Sequence, residues 1–100
     1  MRYGTEYGFY ELNPFPGCNQ IVISNHSLVR KEFRGKGIGT REHESRLVEI
    51  SKLGYDYVIC TCKASNIPQI KILQAHGWKQ LDSFTNQETE NDVLIFGRKM

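Results

Sequence analysis

Residues 34–40 read Arg34-Gly35-Lys36-Gly37-Ile38-Gly39-Thr40, and this glycine loop separates a run of β-branched residues from a helical pattern. Glycine lets the backbone turn tightly and approach a ligand closely. The free N–H groups and the dipole of the following helix then favour an anion. At an exposed helix end the dipole contributes only about 0.3–1 kcal/mol to the binding of an anion. Several backbone hydrogen bonds and the side chains of Arg34 and Lys36 would therefore provide most of the affinity for this anion. The pattern indicates a ligand with more than one phosphate charge. The alternative is a turn with solvated basic residues.

The segments on either side of the glycine loop predict a βαβ unit. Residues 20–30 alternate, with β-branched side chains on one side, which is typical of a long strand. Residues 40–53 carry apolar residues at helical spacing up to Leu53, and Gly54 ends the helix. Residues 55–62 are almost continuously apolar, as expected for a strand buried on both faces of a parallel pair.

A second helix follows this unit. Ser65 or Asn66 can cap its N-terminus, and Pro68 falls in the first turn, where its missing N–H is harmless. Gly77 ends the helix, and we expect Ile67 to pack inward with the other apolar residues.

Shorter patterns complete the predicted sheet. Residues 8–12 predict a strand, and the Pro- and Gly-containing residues 13–17 predict a reversal. Residues 78–84 and 93–100 predict an antiparallel hairpin joined by a polar loop. The predicted fold is α/β, with a mixed central sheet and two main helices in a single domain of residues 1–100.

Composition and length limit the classes of function. One hundred residues, 39% of them hydrophobic, suffice for one domain of marginal stability, which a homodimer would strengthen. The net charge of +2 comes from interspersed residues, which argues against a nucleic-acid partner. No apolar run has the length of a membrane helix or the form of a signal peptide, so we expect no membrane partner and a cytoplasmic location.

The three cysteines do not suggest a disulfide or a metal. Cys60 and Cys62 share one face of a predicted strand, and Cys18 makes the set odd. Cys60-Thr61-Cys62 lacks the two-residue gap of a zinc knuckle, so we expect buried, reduced thiols and no metal.

Two common phosphate-binding motifs are excluded. A P-loop would end in Gly-Lys-Ser/Thr, which this loop does not. The dinucleotide fingerprint fails because Glu42 stands where its third glycine belongs.

The glycine loop resembles the cofactor loop of the GCN5-related N-acetyltransferase (GNAT) family, which has the form Arg/Gln-x-x-Gly-x-Gly/Ala. A second resemblance lies downstream, where the family has an asparagine, a helix and Gly-Phe. The positions that match are Val29, Arg34, Gly37, Gly39, Asn66 and Gly77-Trp78. The resemblance as a whole covers about residues 19–100, and these positions together are more specific than the loop alone.

The resemblance implies that acetyl-coenzyme A (acetyl-CoA) is bound as co-substrate. Backbone groups of Val29 and Lys31 would hydrogen-bond the pantetheine arm and the acetyl carbonyl, and amides of the glycine loop would hold the pyrophosphate. Asn66 would contact the pantetheine, and a simple helix cap explains it equally well. The implied cofactor residues are Val29, Lys31, Arg34, Gly35, Lys36, Gly37, Ile38, Gly39, Thr40 and Asn66. The implied reaction moves acetyl to a primary amine, of a protein or a small molecule, by direct attack on the thioester.

The sequence departs from the family in two places. About 18 residues precede the match, where the family has a strand and two helices, so the chain resembles an N-terminally shortened member. Its acceptor site would then be open or completed by a second subunit. The family often places a tyrosine acid seven residues after the asparagine, where this chain has Leu73.

A general base is needed because neutralising a lysine amine of pKa about 10.4 at pH 7 costs roughly 4.6 kcal/mol. His26 is one candidate, since it lies on the predicted strand before the glycine loop. His43 together with Glu42 is the second candidate base. Both lie on a face of the predicted helix that we expect to be partly exposed to solvent or part of an interface.

Two other functions stay open. One is a catalytically inactive CoA-binding interaction protein with the GNAT fold, which Leu73 favours. The other is a structural α/β domain whose glycine loop holds no ligand.

Overall fold

A computed structural model describes the backbone of residues 1–100 and every side chain except that of His26. The strands are β1 (Arg2–Gly4), β2 (Gly8–Phe15), β3 (Cys18–Val29), β4 (Tyr57–Lys63), β5 (Lys79–Thr85) and β6 (Asp92–Lys99). The helices are α1 (Ile38–Lys52) and α2 (Ile67–Ala75), and a short 3₁₀ helix spans Lys31–Phe33. The six strands form one mixed sheet in the order β1-β2-β3-β4-β6-β5, which confirms the predicted fold class.

The reversal after β2 is shorter than residues 13–17 predict. β2 continues to Phe15, and Pro14 lies in the ladder opposite Val22 of β3. β1 pairs only with residues 9–11 of β2, so the side of Pro14 that faces away from β3 has no neighbouring strand. A proline can occupy this position because no backbone N–H is needed on that side.

β3, α1 and β4 form the predicted βαβ unit, and β3 and β4 pair in parallel. The hairpin of β5 and β6 is also confirmed, but its placement is not evident from the sequence. β6 lies beside β4, antiparallel to it, and β5 forms the outer edge.

Both helices pack on the same face of the sheet. The rings of His43 on α1 and His76 beside α2 are 4.9 Å apart. From the sheet, Val22 and Ser24 face this layer and are buried, whereas Ile21 and Ile23, which alternate with them, are only half-buried.

Three expectations about the helix faces are wrong. Leu53 is 47% exposed because α1 has already ended there, and Ile67 is 51% exposed in the first turn of α2. The face of α1 that carries His43 is neither wet nor open, since His43 has no exposed surface. The buried residues of α1 are Ile38, His43, Arg46 and Ile50.

Neither described helix is long and apolar enough to cross a membrane.

Candidate functional site

The parallel strands β3 and β4 separate soon after they meet. Their ladder covers only Ile21–Ile23 of β3, opposite Tyr57–Ile59 of β4. Two cavities of about 390 and 590 Å³ lie along the opening between the strands. Ser27, Asn66 and Gln69 line both cavities. The two cavities therefore adjoin each other, and we refer to them together as the channel, whose outer part lies at the glycine loop and whose inner part lies beside Ser24.

The glycine loop borders the outer cavity and opens α1. Gly35 and Gly37 have φ of +78° and +73°, values that L side chains rarely adopt. Gly37 is the N-cap of α1, and no side chain caps this end of the helix. The N–H groups of the first turn therefore have no acceptor within the helix. Gly39 lies close to α2, where an added Cβ would be 3.5 Å from Cδ1 of Ile72.

The structure brings some of the predicted cofactor residues together at the outer cavity. Those that line it are Val29, Arg34, Gly35, Gly39 and Asn66. The Arg34 side chain folds back along the end of β3, where its Nε donates to the Val29 carbonyl at 2.8 Å. Ile38 is almost completely buried, so its side chain anchors α1 while its N–H stays at the helix end. Lys31, Lys36, Gly37 and Thr40 lie in the same segment without lining the cavity.

Asn66 is both a helix cap and part of the channel wall. Its side-chain oxygen accepts from the N–H of Gln69 at 3.4 Å and so caps α2. Because it lines both cavities, the two roles proposed for it from the sequence are compatible.

Apart from Asn66, the cofactor residues predicted from the sequence do not line the inner cavity. Ser24, Arg46 and Cys60 line it from the face that the helices cover. The signal for Arg46 was its position three residues after His43 and four before Ile50, on the apolar side of α1. Arg46 is only 5% exposed.

Arg46 belongs to a buried polar cluster. Its Nη1 donates to Oγ of Ser24 at 2.9 Å, and its Nη2 lies 3.0 Å from Nδ1 of His43. Trp78 donates its indole N–H to Nε2 of His43 at 2.9 Å. The Arg46 guanidinium also lies 5.9 Å from the centre of the Tyr10 ring. Burial, and then the Arg46 charge, lowers the pKa of His43 to about 3, so its ring is neutral at neutral pH.

The candidate bases differ in where they lie. His43 has its ring nitrogens against Arg46 and Trp78 and lines neither cavity. Glu42 accepts a hydrogen bond from Oγ1 of Thr5. His26 lies on β3 between Ser24 and Ser27, which both line the inner cavity, but its own side chain is outside the described residues.

Neither the position of the family's tyrosine acid nor the buried Cys60 contributes a charge to the channel, whereas Lys63 lines the inner cavity and is exposed. Leu73, at the position of the family's tyrosine acid, is 1% exposed in the core. Ile72 lines the outer cavity instead. Burial raises the pKa of the Cys60 thiol to about 12 despite the nearby Arg46 charge, so this thiol stays protonated. Among the described side chains, no three His, Cys, Asp or Glu residues come together as potential metal ligands.

Comparisons with solved structures relate this fold to the fold of acetyltransferases. The sequence matches no family model and no curated protein. A putative phosphinothricin N-acetyltransferase has a similar structure, with a TM-score of 0.84, 21% identity, and coverage of 94% of this chain and 63% of that one. An IAA acetyltransferase from Bacillus cereus gives a TM-score of 0.83 at 15% identity, over 100% of this chain and 74% of that one.

A GNAT family acetyltransferase from Elizabethkingia anophelis, solved with acetyl-CoA bound, gives a TM-score of 0.80 at 16% identity, over 94% of this chain and 69% of that one. These likenesses confirm the GNAT-like fold that the glycine loop predicts. The chain spans 63% of the length of the putative phosphinothricin N-acetyltransferase, which is less than two thirds.

Proposed function

We propose that the chain binds acetyl-CoA in the channel between β3 and β4 and transfers its acetyl group to a primary amine. One observation carries this proposal. The uncapped N-terminus of α1 borders an outer cavity that continues, past Ser27 and Asn66, into an inner cavity between the separated strands. A ligand with phosphates at one end and an extended arm at the other fits this shape.

The outer part of the channel suits the phosphates. The N–H groups of the first turn of α1 are directed at the loop and carry the positive end of the helix dipole. Gly35 and Gly37 leave open space, since an added Cβ at either would meet nothing within 4 Å. Arg34 and Lys36 add positive charge beside this space, and an Arg–phosphate hydrogen bond is among the stronger kinds.

The inner part suits the arm and the acyl group. Bound acetyl-CoA supplies a thioester, whose C–S bond breaks as the amine nitrogen bonds to the carbonyl carbon, with a proton leaving the amine and the thiolate gaining one. Polar groups along β3 and α2 would position the arm, including Asn66 and Gln69. For the proton from the amine we keep His26 as the proposed base, because its place on β3 falls beside the inner cavity. We do not propose His43 for this role, since it is buried, lines neither cavity, and has a pKa of about 3 that makes it a weak base.

A matched pair of variants tests the binding step. Gly37 and Gly54 stand at opposite ends of α1, both with positive φ and with open space around an added Cβ. Gly37→Glu and Gly54→Glu should therefore carry a similar backbone strain of about 1–2 kcal/mol. Only Gly37→Glu places a carboxylate beside the pyrophosphate, so calorimetry should show acetyl-CoA binding by the wild type and by Gly54→Glu but not by Gly37→Glu. Equal affinity of both variants, or no binding by the wild type, contradicts the proposal.

A turnover assay tests the reaction separately. Release of free CoA should appear with some amines in a panel of peptides, polyamines and amino acids. The alternative function is a CoA-binding interaction protein without activity, and the burial of Leu73 favours it, because α2 then offers no tyrosine acid to the channel. Tight binding without release of CoA for any amine selects this alternative.

A further inference from the structure

The inner cavity is lined by a buried positive charge that forms no ion pair with the described side chains, although the Glu42 carboxylate acts on it from a longer distance. Arg46 is 5% exposed, and among the described side chains no carboxylate lies within ion-pair distance of its guanidinium. Its Nε is buried and has no hydrogen-bond partner among the described atoms. A buried, incompletely hydrogen-bonded charge is costly, so a fold usually provides a counter-charge or a ligand for it.

The cluster around Arg46 has more hydrogen-bond donors than acceptors. Arginine has only donors, and so does the indole of Trp78. The neutral ring of His43 offers one acceptor nitrogen, yet donors lie at both of its nitrogens, 2.9 and 3.0 Å away. Oγ of Ser24 is the other acceptor that Arg46 contacts. Cys60 does not balance the charge, because its thiol is protonated at neutral pH. The cluster therefore lacks an anionic acceptor.

The position of Arg46 indicates where that acceptor would come from. Arg46 and Ser24 line the inner cavity, and Val29 lines the outer one. Ser24 and Val29 are five positions apart on β3, which corresponds to about 16 Å along a strand. A ligand held by its phosphates at the glycine loop would thus bring the far end of an extended arm towards Arg46.

We propose that Arg46 is a receptor for a carboxylate at the end of the acyl chain of a CoA thioester, so that the preferred donor is a dicarboxylic acyl-CoA of the succinyl type. A carboxylate in the inner cavity, which Arg46 lines, supplies the missing negative charge and accepts charge-assisted hydrogen bonds from the guanidinium. An unsubstituted acyl chain would leave the same donors unsatisfied. This inference rests on the proposed function, because it requires a CoA thioester in the channel.

A pair of ligands that differ in the carboxylate alone tests it. Succinyl-CoA and butyryl-CoA have acyl chains of the same length, one ending in a carboxylate and the other in a methyl group. Calorimetry on the full chain should show that succinyl-CoA binds at least about tenfold more tightly than butyryl-CoA. Arg46→Met should bind both with similar affinity. Arg2→Met, which removes an exposed arginine from β1, should keep the wild-type preference.

The outcomes are distinguishable from those for the proposed function. Equal or tighter binding of butyryl-CoA by the wild type overturns the carboxylate receptor and leaves the CoA site intact. Failure of every CoA ester to bind overturns both. If free succinate binds at Arg46 as tightly in the presence of CoA as the succinyl ester does, the carboxylate belongs to the acceptor, and the assignment to the acyl chain is wrong. Since the wild-type preference needs no variant, the test does not depend on the folding of Arg46→Met, which circular dichroism checks.

Discussion

Acid should destabilise this protein through His43. The ring is fully buried against Trp78, and its other neighbours are positive or can become so, namely Arg46, His76 and Arg98. Burial is the largest cause of the low pKa, about 3, and the Arg46 charge is the next. In the unfolded chain this ring titrates near pH 6.5.

The sign and size of the effect follow from these two pKa values. Above about pH 6.5 the ring is neutral in both states, and His43 adds no pH dependence. As the pH falls from there towards 3, the unfolded state binds a proton that the folded state excludes, so the free energy of unfolding decreases by about 1.4 kcal/mol per pH unit. At pH 4.5 the loss attributable to His43 is about 3 kcal/mol, a large part of the stability of a domain of this size.

Urea denaturation at pH 7.5 and at pH 4.5 measures this loss. His43→Gln keeps a hydrogen-bonding side chain but removes the titration, so it should lose about 3 kcal/mol less than the wild type between the two pH values. His76→Gln is the matched control, because His76 is partly exposed beside Glu44 and should leave most of the difference in place. If the wild type and His43→Gln lose the same stability on acidification, His43 is not a buried neutral ring, and the description of the cluster around Arg46 is incorrect.

Three further results are expected. Gly8→Ala should lower the free energy of unfolding, measured by urea denaturation, by about 1–3 kcal/mol or more, because a Cβ there would collide with a backbone carbonyl of β3. Gly4→Ala should change the stability much less, because a Cβ there would meet nothing within 4 Å. Similar losses in the two variants would contradict the packing of β2. Asn66→Ala should remove the cap of α2 and lower the stability by about 1 kcal/mol. Asn66→Asp should keep the cap but, under the proposed function, weaken acetyl-CoA binding, because the amide donor is lost. If the aspartate variant binds acetyl-CoA as tightly as the wild type, Asn66 acts only as a helix cap. Iodoacetamide at pH 8 should label Cys18 in the folded protein and Cys60 only after unfolding, as read by mass spectrometry, and rapid labelling of Cys60 would refute its burial and its pKa of about 12.

The helices and strands that are specified by residues adjacent in sequence were predictable. A helix with its N-terminus at the glycine loop, the parallel strands on either side of it and the final hairpin all follow from local patterns and turn chemistry. The same local signals predicted part of the outer cavity, since Val29, Arg34 and Gly35 lie within one short segment. Errors occurred where a periodic pattern continued past the end of an element, as at Leu53, or where a proline was taken as a turn, as at residues 13–17.

The sequence by itself thus determined the glycine loop and the βαβ unit around it, because the residues that specify them are adjacent in the chain. Only the tertiary structure decided that β6 lies between β4 and β5, and that β3 and β4 separate to form a channel. It also decided the surroundings of Arg46, whose contacts include Ser24, 22 residues away, while Trp78 reaches His43 over 35 residues. Helical periodicity shows that Arg46 and His43 share a face, but not what that face meets. That depends on how α1 packs on the ordered sheet, and this packing brings Arg46, which forms no ion pair with the described side chains, to the inner end of the channel.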